Sequence, residues 1–268
     1  MNKINDFQNK TAVFVGGTGG IGKALADEAA AQGARVIVVG QTRRSENVEF
    51  LKADLSLMAN AKKIAEQLKA EKIDFLVFTT GIFAAPNREE TSEKLERDMA
   101  VSFLNRLLML DILCPYLKDE AKICIWGYPG FNQKGNIADL NSDKKYSAMT
   151  AHMNTVAGNE ILVNVFSKKY PHLIFYGFNP GLIKTNIRDN FFGKNSLKSK
   201  FMEFLIGILT PTAKEYAQKI VPLFLENNKS DTFFNRKGKI IAGSKNLTLD
   251  YGEEFLAKSR ELLKSTVN

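Results

Sequence analysis

A glycine-rich stretch near the N-terminus is the first feature of this sequence whose residue types could do chemistry. VGGTGGIG occupies residues 15–22, between the apolar run TAVFVGG and the alanine-rich run IGKALADEAAAQG. Glycines permit tight turns with positive φ and let a backbone approach a pyrophosphate closely. A helix that begins here directs free N–H groups and a partial positive charge at the phosphates. The stretch predicts a nucleotide-binding cradle, although a glycine-rich turn alone could be only a tight strand-to-helix connection.

Residues about twenty positions further on bear on which dinucleotide is bound. An NAD-binding protein is expected to have a carboxylate there, which accepts a hydrogen bond from the ribose 2′-hydroxyl. This chain has Gln41 and Thr42, followed by Arg43 and Arg44. Guanidinium groups attract a 2′-phosphate and can bind it through two hydrogen bonds. The sequence favours NADP(H) over NAD(H), and an ordinary solvated loop is the alternative reading of the two arginines.

The elements that must position these residues alternate along the chain. Short apolar runs rich in β-branched residues are separated by longer amphipathic runs, which predicts a parallel sheet covered by helices on both faces. We therefore predict an α/β protein with a Rossmann-like, doubly wound parallel sheet in a single domain. The predicted strands lie near residues 11–17, 34–40, 48–55, 73–81, 122–128, 173–181 and 237–243.

The predicted helices complete this layout. They cover about residues 21–33, 57–72, 92–117, 146–168 and 212–226. The connection between the second and third strands, residues 41–48, is too short for a full helix, so a loop is predicted there. We expect one domain over residues 1–268, with a Rossmann core at about 11–182 and a substrate-lid and C-terminal segment at about 183–268.

Cysteine, histidine and charge usage limit the other functions that this chain could have. Its two cysteines, Cys114 and Cys124, lie in apolar patterns and are predicted to be buried, reduced thiols. With only His152 and His172 besides, no metal site is predicted. The net charge is +8, but the 37 basic residues are scattered among 29 acidic ones, so binding to nucleic acid is not predicted.

The sequence also bears on location. The first ten residues are polar, and no segment has 18 uninterrupted apolar residues. Neither a signal peptide nor a transmembrane helix is therefore predicted, and a cytoplasmic location is the default expectation.

An ordered set of motifs resembles the short-chain dehydrogenase/reductase family. The set consists of VGGTGGIG, ADL at residues 53–55, TTG at 79–81, a tyrosine at position 146 and NPGLIKT at 179–185. The resemblance covers about residues 11–243. It implies an NAD(P)-dependent oxidoreductase with a small-molecule substrate, and a homo-oligomer, either a dimer or a tetramer.

The resemblance assigns cofactor contacts position by position. It implies that five residues of the glycine-rich stretch line the pyrophosphate and ribose, that two residues border the adenine, that one lies beside the adenine ribose and that four hold the nicotinamide carboxamide. The residues implied at the pyrophosphate and ribose are Gly16, Thr18, Gly20, Ile21 and Gly22. Those implied at the adenine are Asp54 and Leu55, and the one implied beside the adenine ribose is Gly81. Those implied at the nicotinamide carboxamide are Pro180, Gly181, Ile183 and Thr185.

The catalytic side departs from the family pattern. The resemblance implies a tetrad of Asn, Ser, Tyr and Lys, of which this chain keeps only Tyr146. The asparagine position falls on Ser102, the serine position on or beside Gly127, and the lysine position on Thr150. Tyr146, Thr150 and Ser102 are therefore the predicted catalytic-site residues, and packing is the alternative role of Tyr146. His152 follows Thr150 by two positions and is predicted to be a packing residue on another face of the helix.

These departures affect the two reaction directions unequally. A lysine charge about 4 to 5 Å from a phenolate contributes roughly 3 to 4 kcal/mol at an effective dielectric constant near 20. Without that charge Tyr146 is expected to be a neutral phenol, which can donate a proton in carbonyl reduction but is a poor base for alcohol oxidation. A missing hydroxyl at Gly127 costs on the order of 3 kcal/mol in the transition state, and Tyr128 could replace it.

Two functional hypotheses follow. The first is an NADP(H)-dependent oxidoreductase that reduces a carbonyl of a small apolar substrate, with Tyr146 as proton donor. The apolar segment 201–209 is then a lid, although it could equally be a packed helix, a membrane-surface contact or a subunit interface. The second hypothesis is a catalytically silent NADP(H)-binding protein, either a redox sensor or the non-catalytic partner of a related subunit.

Overall fold

One mixed sheet organises the protein. The computed structural model describes residues 7–183 and 210–264, and in them eight strands follow the order β3-β2-β1-β4-β5-β6-β7-β8. Every neighbouring pair is parallel except β7 and β8, which are antiparallel. The predicted doubly wound α/β fold is confirmed. The strands are β1 (Thr11–Val15), β2 (Arg35–Gly40), β3 (Glu49–Lys52), β4 (Phe75–Phe78), β5 (Lys122–Trp126), β6 (Ile174–Phe178), β7 (Thr232–Phe234) and β8 (Ile240–Ile241).

Helices cover both faces of this sheet. They are α1 (Gly20–Ala31), α2 (Met58–Leu68), α3 (Arg97–Tyr116), α4 (Ala148–Lys169), α5 (Ala213–Ile220) and α6 (Leu249–Lys264). Helices α1 and α5 pack together on one face, and α2, α3, α4 and α6 contribute to the apolar layer on the other. This two-sided cover is the reason why the strands are apolar along their whole length.

Strand β1 shows how the two layers are built. Val13 and Val15 join the layer that contains α2, α3, α4 and α6, whereas Ala12 and Phe14 join the layer that contains α1 and α5. Burying one Val or Phe side chain contributes about 1.5–3 kcal/mol. Shifting β1 by one residue would exchange the two sets of side chains, so both layers favour the observed register of this strand. Cys114 and Cys124 are buried free thiols within these layers, as predicted.

The connection between β2 and β3 is the short loop that the sequence predicted. Residues 41–48 contain no helix. The loop lies against α1, because the Ser45 hydroxyl donates a hydrogen bond of 3.0 Å to the carboxylate of Asp27. The residues that follow β2 are thereby placed beside the helix that the glycine-rich stretch begins.

Helix α3 begins later than predicted. The sequence suggested a start near Ser92, but residues 91–95 form a tight turn in which Lys94 has a φ of 63° and the Thr91 hydroxyl accepts from two backbone N–H groups. Glu96 caps the helix by accepting a 2.7 Å hydrogen bond from the Met99 N–H. The stretch Ala100–Leu104 is a π-helix, a form that is frequent at functional sites.

Helix α3 is also long and apolar enough to cross a membrane by length and composition. Its mean hydropathy is 1.3, but 67% of it is buried inside the protein. It packs against α2 and α4, which is the arrangement of a core helix.

The C-terminal part contains elements that the sequence did not reveal. Strand β7 has only three residues and α6 was not recognised, whereas the last predicted strand corresponds to β8. Helix α5 begins at Ala213, close to the predicted start, but gives way to a 3₁₀ turn at Val221–Phe224, where Pro222 cannot continue the α-helical hydrogen bonding.

Candidate active site

The glycine-rich stretch turns sharply between β1 and α1. Gly16 and Gly20 have φ values of 97° and 52°, in the left-handed region that favours glycine. A Cβ added to Gly16 would lie 2.5 Å from the backbone nitrogen of Thr80, and one added to Gly22 would lie 2.5 Å from the Gly16 carbonyl oxygen. The close approach of β1, α1 and the end of β4 therefore requires glycine at both positions.

The space in front of α1 is open. Gly19 caps this helix without any side-chain hydrogen bond, and a Cβ added there would meet nothing within 4 Å. Thr18 packs against the end of β2, since a Cβ on Gly40 would lie 2.5 Å from its methyl group, and Ile21 packs beside the layer that contains α1. The predicted cradle residues thus lie together around a free helix N-terminus, which suits a phosphate.

Arg43 lies in the loop that follows β2 and is exposed. Its guanidinium donates only long hydrogen bonds of 3.4 to 3.5 Å to the carbonyl oxygens of residues 45, 46 and 48. Arg44 is also exposed. Because no carboxylate neutralises Arg43 in the described part of the chain, its charge remains available to an anion at the edge of the cradle.

The sequence predicted a strand to residue 55, but β3 ends at Lys52, and Asp54 and Leu55 lie in the turn that follows it. One carboxylate oxygen of Asp54 accepts from the backbone N–H and the hydroxyl of Ser56, at 3.0 and 2.7 Å. Burial alone would raise the pKa of Asp54, but hydrogen bonds from Ser56 and Gln41 outweigh it and keep the pKa below its ordinary value. Leu55 is buried, and its carbonyl accepts from Asn105 at 3.2 Å. This turn is therefore fixed, with an ionised carboxylate near the loop after β2.

The stretch after β6 forms the far side of the candidate site. The Asn179 side chain accepts from the Gly181 N–H at 3.0 Å and donates to the Pro129 carbonyl at 3.2 Å. Gly181 has a φ of 57°, and Pro180 precedes it at the half-buried start of this turn. Ile183 is buried in the layer that contains α1 and α5. Thr185 and the apolar segment 201–209 lie outside the described residues.

Ser102 lies in the π-helical part of α3 and connects that helix to the residues that follow β4. Its hydroxyl donates to Asp98 at 2.5 Å and accepts from the Ile82 N–H at 3.0 Å. Its carbonyl accepts from Asn159 of α4 at 2.9 Å. A Cβ on Gly81 would lie 3.7 Å from the Ser102 hydroxyl, so the predicted residues 81 and 102 are neighbours. Ser102 holds the loop after β4 against α3.

Tyr146 lies just before α4 and reaches the same loop. Its hydroxyl donates a short hydrogen bond to the carbonyl oxygen of Ala85. Burial first, and then the nearby carboxylates of Glu96 and Asp98, raise the pKa of Tyr146 to about 12. The side chain is therefore a neutral phenol at pH 7.

The lysine and serine positions supply no comparable group. Thr150 is exposed; its N–H donates to the Ser147 hydroxyl at 3.1 Å, and that hydroxyl donates to the Thr150 oxygen at 2.9 Å. Among the hydrogen bonds of the described residues, none joins Thr150 to Tyr146 or Ser102. Tyr128, the suggested replacement for the missing serine, packs its ring against Phe131 at 4.8 Å.

Sequence reasoning missed a buried cation at the carboxyl ends of β4 and β5. Arg106 of α3 is 2% exposed. Its guanidinium donates to the Trp126 carbonyl at 2.5 Å and to the Asn159 side-chain oxygen at 2.7 Å, and it also donates to the Thr80 carbonyl. Burial lowers the pKa of Arg106 to about 9, which the charge of Asp98 partly opposes. A lone arginine in the apolar run SFLNRLLML was the available signal.

Sequence reasoning also missed the partner of His152. Its ring packs 4.6 Å from the ring of Phe83, which fits the predicted packing role. However, Nδ1 also lies 2.8 Å from a carboxylate oxygen of Asp98, a fully buried residue. The two residues are 54 positions apart, so only the packing of α4 on α3 brings them together.

Unused hydrogen-bonding capacity gathers where β4 ends. In the described ranges, the Thr80 hydroxyl and the Arg106 Nε are buried and have no hydrogen-bond partner. Buried polar groups are normally paired, so such atoms suggest a ligand or water. They lie beside the switch point between β1 and β4, where doubly wound sheets bind ligands. Together with the open cradle, these features fit a dinucleotide.

Comparisons with known proteins agree with this geometry. A family model described as short chain dehydrogenase matches residues 10–125. An uncharacterized oxidoreductase of Saccharomyces cerevisiae is 42% identical over 279 residues, which cover 98% of this chain and 90% of that protein. The human polyprenol dehydrogenase is 23% identical over 225 residues, which cover 74% of this chain and 68% of that protein.

Solved structures share the fold. An uncharacterized protein from Mycobacterium paratuberculosis has a TM-score of 0.73 at 19% identity, over 98% of this chain and 96% of that one. A short-chain dehydrogenase from Shigella flexneri, complexed with NADP, has a TM-score of 0.64 at 16% identity, over 88% of this chain and 100% of that one. The sequence match to the yeast protein, the family model and the shared fold lead to one conclusion: this chain belongs to the short-chain dehydrogenase/reductase family of NAD(P)-dependent oxidoreductases.

Proposed function

We propose that this protein uses NADPH to reduce the carbonyl group of a small apolar compound, with Tyr146 as the proton donor. The observation that carries the proposal is the state of Tyr146. It is a neutral phenol, bonded to the Ala85 carbonyl in the loop after β4, beside a cradle that keeps its glycine geometry. A phenol can donate a proton but cannot accept one, which favours reduction over oxidation.

The choice of NADP(H) rests on charge. Gln41 and Thr42 stand at the end of β2, where an NAD-binding protein is expected to have a carboxylate, and Arg43 and Arg44 are exposed in the loop that comes next. A guanidinium binds a phosphate through parallel hydrogen bonds, which a 2′-hydroxyl cannot match. The NADP complex of the Shigella flexneri structure, which has the same fold, agrees with this choice.

The chain's own residues define the chemistry. When bound, the cofactor supplies a hydride to the carbonyl carbon. Tyr146 leaves the Ala85 carbonyl and gives its proton to the carbonyl oxygen, so the phenol must be protonated at the start of each turnover. Ser102 and Arg106 keep the ends of β4 and β5 in place around these groups.

The remaining features of the proposal concern the substrate and the setting. A substrate lid is proposed within the lid and C-terminal segment 183–268, and the apolar composition of residues 201–209 favours an apolar substrate. Relatives named polyprenol dehydrogenase and retinol dehydrogenase 12 act on apolar compounds by their names, which supports this class. A cytoplasmic dimer or tetramer completes the proposal.

The test measures binding and turnover separately. NADPH fluorescence reports binding, and loss of NADPH absorbance reports reduction of benzaldehyde, citral and phenanthrenequinone. We expect the protein to bind NADPH and reduce at least one of these compounds, and we expect Tyr146→Phe to bind NADPH equally and lose turnover. Tyr116→Phe, which removes the hydroxyl of a tyrosine that is 58% exposed, is the matched control.

The outcomes separate the two hypotheses that the sequence left open. Binding without turnover, unchanged by Tyr146→Phe, would make the protein a silent NADP(H) binder. Failure to bind NADPH would refute the proposed function altogether.

A further inference from the structure

A hydrogen-bonded pair of side chains lies beside the proposed site and has no role in the family pattern. His152 of α4 contacts Asp98 of α3 through Nδ1, at 2.8 Å. We propose that His152 is a second catalytic residue, which donates a hydrogen bond from Nε2 to the substrate's carbonyl oxygen, and that Asp98 is its positioning residue. This inference rests on the proposed carbonyl reduction.

The carboxylate of Asp98 is held in one orientation. It is fully buried, and each of its oxygens has a donor: the Ser102 hydroxyl at 2.5 Å and His152 Nδ1 at 2.8 Å. With Nδ1–H committed to a carboxylate, the imidazole has a defined orientation and its other nitrogen is left for a ligand. Nε2 forms no hydrogen bond with the described residues, and the side chain is 21% exposed.

The pair lies at the loop that Tyr146 also contacts. Phe83, which packs against the His152 ring, and Asp98 both line a cavity whose wall includes Ala85. Ala85 is the residue whose carbonyl holds the Tyr146 hydroxyl. His152 and Tyr146 therefore each contact one of the four residues that follow Gly81. These four residues lie at the carboxyl end of β4, where ligands bind in sheets of this type.

The family pattern explains why such a group is needed here. This chain has no hydroxyl at Gly127, so the developing negative charge on the carbonyl oxygen lacks the donor that the family pattern implies beside Tyr146. A hydrogen bond donated from Nε2 of His152 supplies a partner for that oxygen. Other charged or titratable groups around the pair are Arg88, Glu89, Glu96, Arg97, Arg106 and Tyr146.

The step conserves atoms and charge. The hydride leaves a C–H bond of NADPH, which is oxidised to NADP⁺, and forms a bond to the carbonyl carbon while the electron pair of the C=O π bond moves to oxygen. The Nε2–H of His152 stabilises that oxygen as its charge develops, and the Tyr146 hydroxyl transfers the proton that completes the alcohol. The imidazole keeps its own proton throughout, and solvent restores the proton of Tyr146.

Nuclear magnetic resonance tests this role without relying on turnover. The chain has only His152 and His172, so ¹⁵N spectra of the imidazoles contain two ring systems, and His172→Gln assigns them. We expect saturating NADP⁺ to shift the ring signals of His152 and leave those of His172 in place. Asp98→Asn should change the protonation pattern of the His152 ring nitrogens. Unchanged His152 signals in NADP⁺-saturated protein would overturn the inference.

Kinetics supply the second readout. His152→Gln should keep NADPH affinity within about twofold and lower kcat by about a hundredfold to a thousandfold, the effect of removing one such donor. His172→Gln, the same change at an exposed histidine, should keep the wild-type kcat.

The outcomes distinguish this inference from the function on which it rests. If His152→Gln keeps the wild-type kcat and Tyr146→Phe loses it, the inference is wrong and the proposed function stands. If the wild-type protein reduces none of the carbonyl compounds, the proposed function fails and the inference fails with it.

Discussion

The cofactor cradle and the acid–base edge of the site are built in different ways. The cradle is one short stretch, residues 15–22, whose function depends on backbone shape and on the absence of side chains at Gly16 and Gly22. The acid–base edge consists of Asp98, Ser102 and Arg106 of α3, His152 of α4 and Tyr146, which lies just before α4. The family model matches residues 10–125 and so stops at the end of β5, before Tyr146. The cradle therefore depends on backbone geometry within one stretch, whereas the edge depends on side chains that distant elements bring together.

This contrast has a physical basis. A pyrophosphate requires free N–H groups at a helix N-terminus and close backbone approach, which few residue types other than glycine permit. A hydrogen-bond donor or a positive charge, in contrast, can reach one point in space from several elements. Arg106 of α3 donates to the Thr80 carbonyl at the end of β4, whereas His152 of α4 contacts Asp98 and Phe83 beside the loop that follows.

The largest effect should come from removing the buried cation at the edge. Arg106→Met leaves two carbonyl oxygens and the Asn159 side chain without their donor, and at about 1 to 3 kcal/mol for each unpaired acceptor this should lower the free energy of unfolding by about 3 kcal/mol or more. Urea unfolding measures this. Arg35→Met is the control: Arg35 also bonds two carboxylates but is 45% exposed, so its loss should cost at most about 1 kcal/mol. Equal losses would show that the buried network contributes little.

The cradle should respond to a single methyl group. Gly22→Ala places a Cβ 2.5 Å from the Gly16 carbonyl oxygen, and relieving such overlap costs about 1 to 3 kcal/mol, so both stability and NADPH affinity should fall. Gly19→Ala meets open space and should keep the melting temperature while weakening NADPH binding if the phosphates occupy that space. Unchanged NADPH binding in Gly19→Ala would contradict the placement of the phosphates there.

Cofactor preference should depend on one side chain at the rim of the cradle. Arg43→Ala removes a charge-assisted hydrogen bond worth about 1.5 to 3 kcal/mol, so NADPH affinity should fall about tenfold or more while NADH affinity stays constant. Fluorescence titration with both cofactors measures this. Lys52→Ala, an exposed cation at the end of β3, is the control, and an equal effect there would point to general charge attraction.

The smallest effect should come from restoring a charge at the edge. Because the pKa of Tyr146 is about 12, its phenolate becomes populated only as pH rises towards that value, and alcohol oxidation should increase over the same range. Thr150→Lys should lower the pH at which oxidation begins, with a gain of severalfold at pH 8. Met149→Lys, a charge on the neighbouring exposed residue, is the control. An identical pH profile in both variants would show that position 150 does not reach Tyr146.

Much of the fold follows from local pattern. The alternation of β-branched runs with amphipathic runs predicted strands β1 to β6 and helices α1 to α5. The connection between β2 and β3 has only eight residues, which predicted a loop in place of a helix. The three-residue strand β7 was not predicted, since so short an element is stabilised by pairing with β6 rather than by its own composition. The predicted start of α3 near Ser92 was wrong, because a turn at residues 91–95 precedes Glu96, which caps the helix.

The candidate site likewise has one part that local sequence predicts and one part that it does not. The cradle could be read from the sequence because its residues are consecutive and because glycine spacing has a direct backbone meaning. The contacts of the acid–base edge join residues far apart in the chain: Ala85 with Tyr146 across 61 positions, Asp98 with His152 across 54 and Arg106 with Asn159 across 53. No local pattern encodes such pairs, because they form only when α3 and α4 pack together over the ends of β4 and β5.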